Sequence, residues 1–225
     1  MQKQTAVAGP RRVEMRLPVS RRGYQAVPLD VAFVMDTTGS MRPQIDRLKD
    51  TLDVIHYQTV NCEPKPDVRF GMVEFRDRGD TYLTRPTDFT PDAEAFRKRL
   101  ATVSVGGGGD KEEDLQAGLE TALRRLDWRS DAIRLIFVLS DAAPHTDYDD
   151  QSFTYLKAME TAAERGIKIT TIGVPPLPLK GEFVFRQLAQ YTRGMYVFLT
   201  FGETGDSEGG TAASVSHHVG ANWRA

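Results

Sequence analysis

The 225-residue chain holds a single cysteine, Cys62. An intrachain disulfide is therefore excluded, and so is any C-x-x-C redox or zinc chemistry. This fits a reducing compartment and does not exclude an oxidising one. Charge of one sign is also lacking: 29 Lys and Arg against 31 Asp and Glu leave a formal net charge of -2. No global basic field is available to hold nucleic acid or an anionic membrane. No apolar run approaches the roughly 20 residues of a membrane span, so no membrane insertion is expected. The polar first ten residues lack the apolar core of a secretory signal, and no signal peptide is expected. The G-x-x-x-x-G-K-[ST] loop of nucleotide sites and the G-x-S-x-G nucleophile elbow are absent. Gly106 to Gly109 lack the spacing and placement of a dinucleotide fingerprint.

Hydrophobic residues at 40% and charged residues at 27% are ordinary for a globular domain, and the length suits one substantial core. Three regions are expected. Residues 1–27 form an arm with Arg11, Arg12, Arg16, Arg21 and Arg22, read as solvated. Residues 28–201 form the domain. Residues 202–225, rich in Gly, Ser, Thr and Ala, read as a flexible tail or docking segment.

Within the domain, residues 29–35 are apolar apart from Asp30, and Pro28 and Thr37-Thr38-Gly39 bound them. That pattern predicts a strand buried on both faces. Ile45, Leu48, Leu52 and Ile55 then recur at helical spacing after Pro43, predicting a helix over about residues 43–60. Strands follow over 68–75 and 81–89. Thr90-Pro91-Asp92 predicts a helix start, with Thr90 as cap and Pro91 in the first turn. Leu115, Leu119, Ala122, Leu123 and Leu126 mark another amphipathic helix. Strands over 133–139, 167–174 and 195–199 alternate with helices ending near Gly166 and Tyr191. The expected fold class is α/β: a doubly wound, mostly parallel six-stranded sheet with one antiparallel edge strand and helices on both faces. Ligands of such sheets bind beyond the carboxyl ends of the strands, where the strand order reverses. That rule selects the loops after Met35 and Leu139.

The first loop reads Asp36-Thr37-Thr38-Gly39-Ser40, with oxygen-bearing residues at alternate positions; the second reads Ser140-Asp141-Ala142-Ala143-Pro144-His145. Asp110 follows the four glycines and supplies a third oxygen source. Each residue alone reads as a cap or turn residue. Together, at one edge of one sheet, hydroxyls and carboxylates suit a hard cation such as Mg²⁺.

Asp36-Thr37-Thr38-Gly39-Ser40 after a buried strand resembles the D-x-[ST]-G-S signature of von Willebrand factor A domains, and the order of elements agrees from about residue 31 to 199. The resemblance implies a Rossmann-like fold with a metal-ion-dependent adhesion site. It implies direct coordination by Thr38 and Ser40, with Asp36 in the same motif and Asp141 acting through water. The ion would be Mg²⁺, with Mn²⁺ or Ca²⁺ as alternatives, and its open position would accept a carboxylate from a protein partner. The family's second segment usually offers threonine; Asp110 stands there instead. Three carboxylates around a divalent ion would hold it better and leave it less attractive to an acidic partner.

Arg76 and Arg78, in Arg76-Asp77-Arg78-Gly79-Asp80, together with His145 are the candidate partner-binding rim. Arg78-Gly79-Asp80 spells an adhesion tripeptide that is too short to weigh much. His145, Asp147, Asp149 and Asp150 could form a second cation site, though a polar capping loop is the commoner outcome. Residues 175–178 read as a rigid loop at a strand end rather than as a polyproline ligand, His217 and His218 as tail residues, and Glu74 and Glu113 as structural. The favoured function is divalent-metal-dependent protein binding, without catalysis. A regulatory or substrate-recruiting subunit of an AAA+ ATPase complex, as in metal chelatases, is the alternative. A metal-dependent phosphohydrolase is less favoured, because Thr38 stands where a second aspartate would be expected and no general base is evident.

Overall fold

The computed structural model describes residues 3–8, 11–16, 26–49, 61, 65–109, 111–200 and 216–218. Strands β1 (Lys3–Ala8) and β2 (Arg11–Arg16) form an antiparallel hairpin within the segment read as an arm. The domain follows as β3 (Pro28–Asp36), α1 (described over residues 42–49), β4 (Asp67–Phe75), β5 (Thr84–Thr90) and α2 (Ala93–Ala101). It continues through β6 (Glu112–Glu113), α3 (Leu115–Arg125), β7 (Ile133–Ser140), β8 (Ala143–Pro144) and α4 (Tyr155–Glu164). Then come β9 (Ile167–Gly173), α5 (Leu179–Tyr191), β10 (Tyr196–Thr200) and β11 (Ser216–His218). Among these residues no helix is long and apolar enough to cross a membrane.

The main sheet runs β11-β10-β9-β7-β3-β4-β5. Every pair is parallel except β4 with β5, the expected antiparallel edge. Six strands match the sequence expectation. The seventh, β11, adds three residues containing His217 and His218. Strand order reverses at β3, which lies between β4 and β7, so the crevice falls beyond Asp36 and Ser140.

The apolar run of β3 has no visible alternation in hydrophobicity, yet its residues divide between two cores. Val31, Phe33 and Met35 pack with Met41, Ile45, Leu48, Phe96 and Leu100 under α1 and α2. Ala32 and Val34 pack on the other face with Leu119, Leu123, Ala158, Phe185 and Leu188 of α3, α4 and α5. Helices cover both faces, as a parallel sheet requires. The start of α2 differs from expectation: Asp92 is the cap, accepting from the Ala95 N–H at 3.0 Å. Thr90 instead accepts from the Asp92 N–H at 3.1 Å, and Pro91 precedes the helix. An aspartate with extended backbone satisfies a first-turn donor better than a threonine two residues upstream.

At the opposite end of the sheet from the crevice, Asp30 is fully buried inside β3. Its carboxylate accepts from Arg69 Nε at 2.9 Å and Arg69 Nη2 at 2.8 Å, a bidentate pair. It also accepts from the Arg129 backbone N–H and Nε, each at 2.9 Å. Arg129 continues to Asp67 at 2.6 Å. Burial alone pushes the Asp30 carboxyl up, but the hydrogen bonds from Arg69 and Arg129 overcome it and hold the group below its ordinary range. Because the folded-state value is depressed, this stabilisation is full above the ordinary carboxylate range and disappears as pH falls through the lowered one. Asp30→Ala strands two guanidinium groups and should cost about 3 kcal/mol, read as a lower denaturant midpoint at pH 7. The deficit relative to wild type should shrink as pH falls below 4 or thereabouts; a constant deficit would show that lost packing, not charge, is responsible.

Candidate functional site

The chain after β3 turns at once into the crevice. Thr37, fully buried, bonds its N–H and hydroxyl to the Phe75 carbonyl at 3.0 and 3.1 Å. Its hydroxyl also lies 2.7 Å from the Tyr82 hydroxyl, and its carbonyl accepts from the Gly106 N–H at 3.0 Å. This residue therefore anchors the first loop to β4 and to the glycine loop. Thr38 precedes a short 3-10 turn, Gly39–Met41, that leads into α1.

Asp36 is fully buried. Its Oδ1 accepts from the Thr38 N–H at 2.9 Å and the Thr38 hydroxyl at 2.7 Å. Its Oδ2 accepts from the Ser140 hydroxyl at 2.7 Å. Ser140 Oγ in turn accepts from the Ala142 N–H at 3.0 Å. Thr38 and Ser40 hydroxyl oxygens are 3.4 Å apart, and Ser40 hydrogen-bonds the side chain of Asp141. Burial raises the Asp36 carboxyl to about 6, aided by the neighbouring charge of Asp141 and opposed by the Thr38 and Ser140 hydrogen bonds. Burial also raises Asp141 above the ordinary carboxylate range.

The third wall is built by backbone pairing. Two-residue strands β6 and β8 pair in parallel, Glu112 with Ala143 and Glu113 with Pro144, and the His145 N–H bonds the Glu113 carbonyl at 3.1 Å. This draws the glycine loop against the loop that carries Asp141. The cleft so enclosed has a volume of about 450 Å³ and is walled by Thr38, Ser40, Gly107, Gly108, Lys111, Glu113, Asp141, Pro176 and Pro178, among others. Of the loop 175–178, Pro176 and Pro178 thus line the cleft.

The structure brings Asp36, Thr38, Ser40 and Asp141 close to one another; Asp110 lies outside the described residues. Among the described residues, no group of three or more His, Cys, Asp and Glu could hold a metal ion. The donor set is instead two carboxylates plus hydroxyls, all hard oxygen. Two carboxylates that burial pushes towards protonation, with Thr38 and Ser40 hydroxyls beside them at a cleft wall, fit a hard divalent cation.

The expected rim is differently arranged. Arg76 is buried and its guanidinium is spent inside the protein: Nη1 donates to Thr81 at 3.1 Å and Nη2 to the Ser104 carbonyl at 2.9 Å, while its plane covers the Tyr82 ring at 4.4 Å. Arg78 is exposed; it stacks 3.9 Å over Tyr148 and pairs with Asp150 at 2.6 Å. His145 is buried, stacked on Tyr148 at 4.3 Å, with Nδ1 2.9 Å from Asp147. These groups form ion pairs and stacks. Among the described residues His145, Asp147, Asp149 and Asp150 make no second cation site. Glu74 is buried between Tyr82 and Arg99, a structural role as expected.

Sequence reading missed Lys111, gave Ser140 and Asp80 no role of their own, and read Glu113 as structural, whereas Glu113 lines the cleft. Asp80 Oδ2 accepts from the Gly108 N–H at 3.2 Å, and a Cβ on Gly107 would sit 2.2 Å from Asp80 Oδ1. Gly107 also has φ +81°. Only glycine there combines that backbone with so close a carboxylate. The tripeptide Arg78-Gly79-Asp80 is thus engaged with the protein itself: its arginine pairs with Asp150 and its aspartate braces the glycine loop. The signal available in sequence was only that four glycines in a row need a partner to hold them.

Comparison with known proteins bears on the fold and the family. The family described as von Willebrand factor A domain matches residues 30–173. Von Willebrand factor A domain-containing protein 7 of Rattus norvegicus is 33% identical over 136 residues, covering 58% of this chain and 14% of that protein. The alpha-protein kinase vwkA of Dictyostelium discoideum is 26% identical over 130 residues, 56% of this chain and 20% of that protein. The chain therefore spans a fifth or less of these curated relatives. Among solved structures, proximal thread matrix protein 1 from the mussel byssus superimposes with a TM-score of 0.57 at 18% identity, over 76% of this chain and 42% of that one. A further structure of that protein, with its metal-ion-dependent adhesion motif occupied by zinc, superimposes with a TM-score of 0.58 at 18% identity, over 77% and 42%. Fold, strand order and the matched span lead to one conclusion: the chain belongs to the von Willebrand factor A domain family.

Proposed function

We propose that this chain is a divalent-cation-dependent protein-binding module, with Asp36, Thr38, Ser40 and Asp141 as the cation's residues and Asp110 contributing from the glycine loop. The observation that carries this reading is the meeting of two buried carboxylates, Asp36 and Asp141, with the Thr38 and Ser40 hydroxyls, where Thr38, Ser40 and Asp141 line the cleft and Asp36 lies behind Thr38. Magnesium is the favoured ion, with Mn²⁺ or Ca²⁺ as alternatives, because every donor is a hard oxygen. A bound cation would supply positive charge at the cleft, where a partner's carboxylate could complete its shell. The Thr38 and Ser40 hydroxyls direct their protons towards Asp36 and Asp141, which leaves oxygen lone pairs available on both. Support comes from the related fold of the mussel thread protein, whose adhesion motif takes zinc. It comes also from the pilus adhesin SpaC of Lactobacillus rhamnosus GG, which shares the fold with a TM-score of 0.57 at 15% identity, over 77% of this chain and 28% of that one. Neither relatives nor solved structures favour the ATPase-subunit or phosphohydrolase readings.

Titration calorimetry of the full chain should show Mg²⁺ or Mn²⁺ binding at one site in the millimolar range or tighter. Asp36→Ala should abolish that binding and still unfold cooperatively, since Asp36, though fully buried, belongs to neither apolar cluster and its donors Thr38 and Ser140 lie at the crevice. Absence of any heat with Mg²⁺, Mn²⁺ or Ca²⁺ in the wild type would sink the reading.

A second prediction concerns Asp80. Asp80→Ala removes the acceptor of the Gly108 N–H, so hydrogen exchange at Gly108 should accelerate roughly tenfold, the effect of losing one bond of about 1.5 kcal/mol. Cation affinity should fall several-fold with the loosened loop. Unchanged exchange at Gly108 would show that the loop is held by other contacts.

A further inference from the structure

The turn between β4 and β5 stands behind the cleft, and none of residues 76–83 lines it. Its base is closed by the Arg76 N–H on the Leu83 carbonyl at 3.0 Å, and its tip by the Asp80 N–H on the Asp77 carbonyl at 3.3 Å. Gly79 has φ +89°, and a Cβ there would meet nothing within 4 Å. Backbone conformation, not crowding, therefore calls for glycine at the tip. A turn closed at base and tip by its own bonds moves as one piece.

The carboxylates at the two ends of the tip reach different loops of the site. Asp77 is buried. Its Oδ1 accepts from the Tyr148 hydroxyl at 2.7 Å, and its Oδ2 lies 3.7 Å from His145 Nε2. Both partners belong to the loop that begins with Asp141. Arg78 adds two holds on the same loop, Asp150 at 2.6 Å and the Tyr148 ring at 3.9 Å, and a longer one to Asp114 at 3.4 Å. Three residues after Asp77, Asp80 Oδ2 accepts from the Gly108 N–H of the glycine loop at 3.2 Å. A buried carboxylate deprived of its donor is costly, so each end resists being pulled away.

We propose that the 77–80 turn is a strut that sets the spacing between the loop carrying Asp141 and the glycine loop, with Asp77 and Asp80 as its positioning residues. Asp141 and Gly108 face each other across the cleft as lining residues of those two loops. The consequence for affinity rests on the cation-dependent reading above: residues that line no part of the cleft tune how well the cleft holds its ion. A direct route between the same loops also exists, through the pairing of β6 with β8 and the His145 N–H on the Glu113 carbonyl. That ladder joins residues 112–113, beyond the glycines, and the Gly108 N–H is left to Asp80.

The test is a double-mutant cycle between Tyr148→Phe and Asp80→Ala in the full chain without added cation. The reading is the exchange rate of the Gly108 amide by NMR, taken relative to the amides of β7 so that a global loss of stability cancels. Tyr148→Phe keeps the ring and removes the hydroxyl that Asp77 accepts. It should accelerate Gly108 exchange about threefold, part of the effect of losing one hydrogen bond, carried across the turn. In the Asp80→Ala background it should add nothing. Asp77→Ala should match Tyr148→Phe, and Asp77→Asn, which keeps an acceptor for the hydroxyl, should restore the slower exchange. Unchanged exchange in Tyr148→Phe would show that the loops are independent. Equal acceleration with and without Asp80 would assign the coupling to the β6–β8 ladder. Either result overturns the strut. Titration with Mg²⁺ reads the consequence: Tyr148→Phe should bind about twofold to threefold more weakly. Unchanged Mg²⁺ affinity in a variant with faster Gly108 exchange would overturn the positioning role. A wild type that takes up no Mg²⁺ would remove the cation reading, while the exchange cycle would still decide the strut.

Discussion

The carboxylate of Asp36 is the constraint on which the crevice depends. It lies at the end of the central strand, without access to solvent, and its donors are a backbone amide and the hydroxyls of Thr38 and Ser140. Such a group is costly to bury unless its oxygens are satisfied. Satisfying them requires β3 and β7 to be parallel neighbours in the observed register, with Met35 opposite Leu139, so that Ser140 arrives beside Asp36. The first loop must also fold back on itself within two residues to place Thr38. From that point Thr37 fastens the loop to Phe75 and Gly106, and the glycine loop is carried into position by the same bonds.

The two buried aspartates of β3 show how environment assigns roles to one residue type. Asp30 is met by two guanidinium groups, which depress its carboxyl in spite of burial. Asp36 is met by neutral donors and by the neighbouring charge of Asp141, and burial raises its carboxyl. The first is a completed ion cluster that closes one end of the sheet. The second has only neutral hydrogen-bond donors, and its proposed counter-charge is a cation. A divalent cation is the simplest species to supply it, and it would act at the end of the sheet where ligands of open α/β folds bind.

The cleft is assembled from separate segments of the chain. Its walls come from the glycine loop, the loop after β7 and the proline-rich entry to α5. Close contact at Gly181 sets that helix against the Ala142–Ala143 backbone. Arg76, which has the charge to serve a rim, is instead used internally to hold Tyr82, Thr81 and Ser104. The positive side chain at the cleft wall is Lys111.

By itself the sequence determined the α/β class, the parallel sheet with an antiparallel edge, and the strand ends whose loops meet at the switch point. These features depend on local pattern: apolar runs bounded by turn residues, helical periodicity, and Asp36-Thr37-Thr38-Gly39-Ser40 at a strand end. Tertiary structure decided which face each β3 residue occupies, because an apolar run buried on both sides carries no period-two signal. It also placed Ser140 on Asp36, Asp80 on the glycine loop, and Glu113 in the cleft wall through the two-residue pairing of β6 with β8. Those partners are separated from one another by 104, 28 and, in the case of Glu113 and Pro144, some thirty residues along the chain. Contacts of that range arise only when the sheet closes around its switch point, since no local propensity encodes which distant hydroxyl or carboxylate a loop will meet.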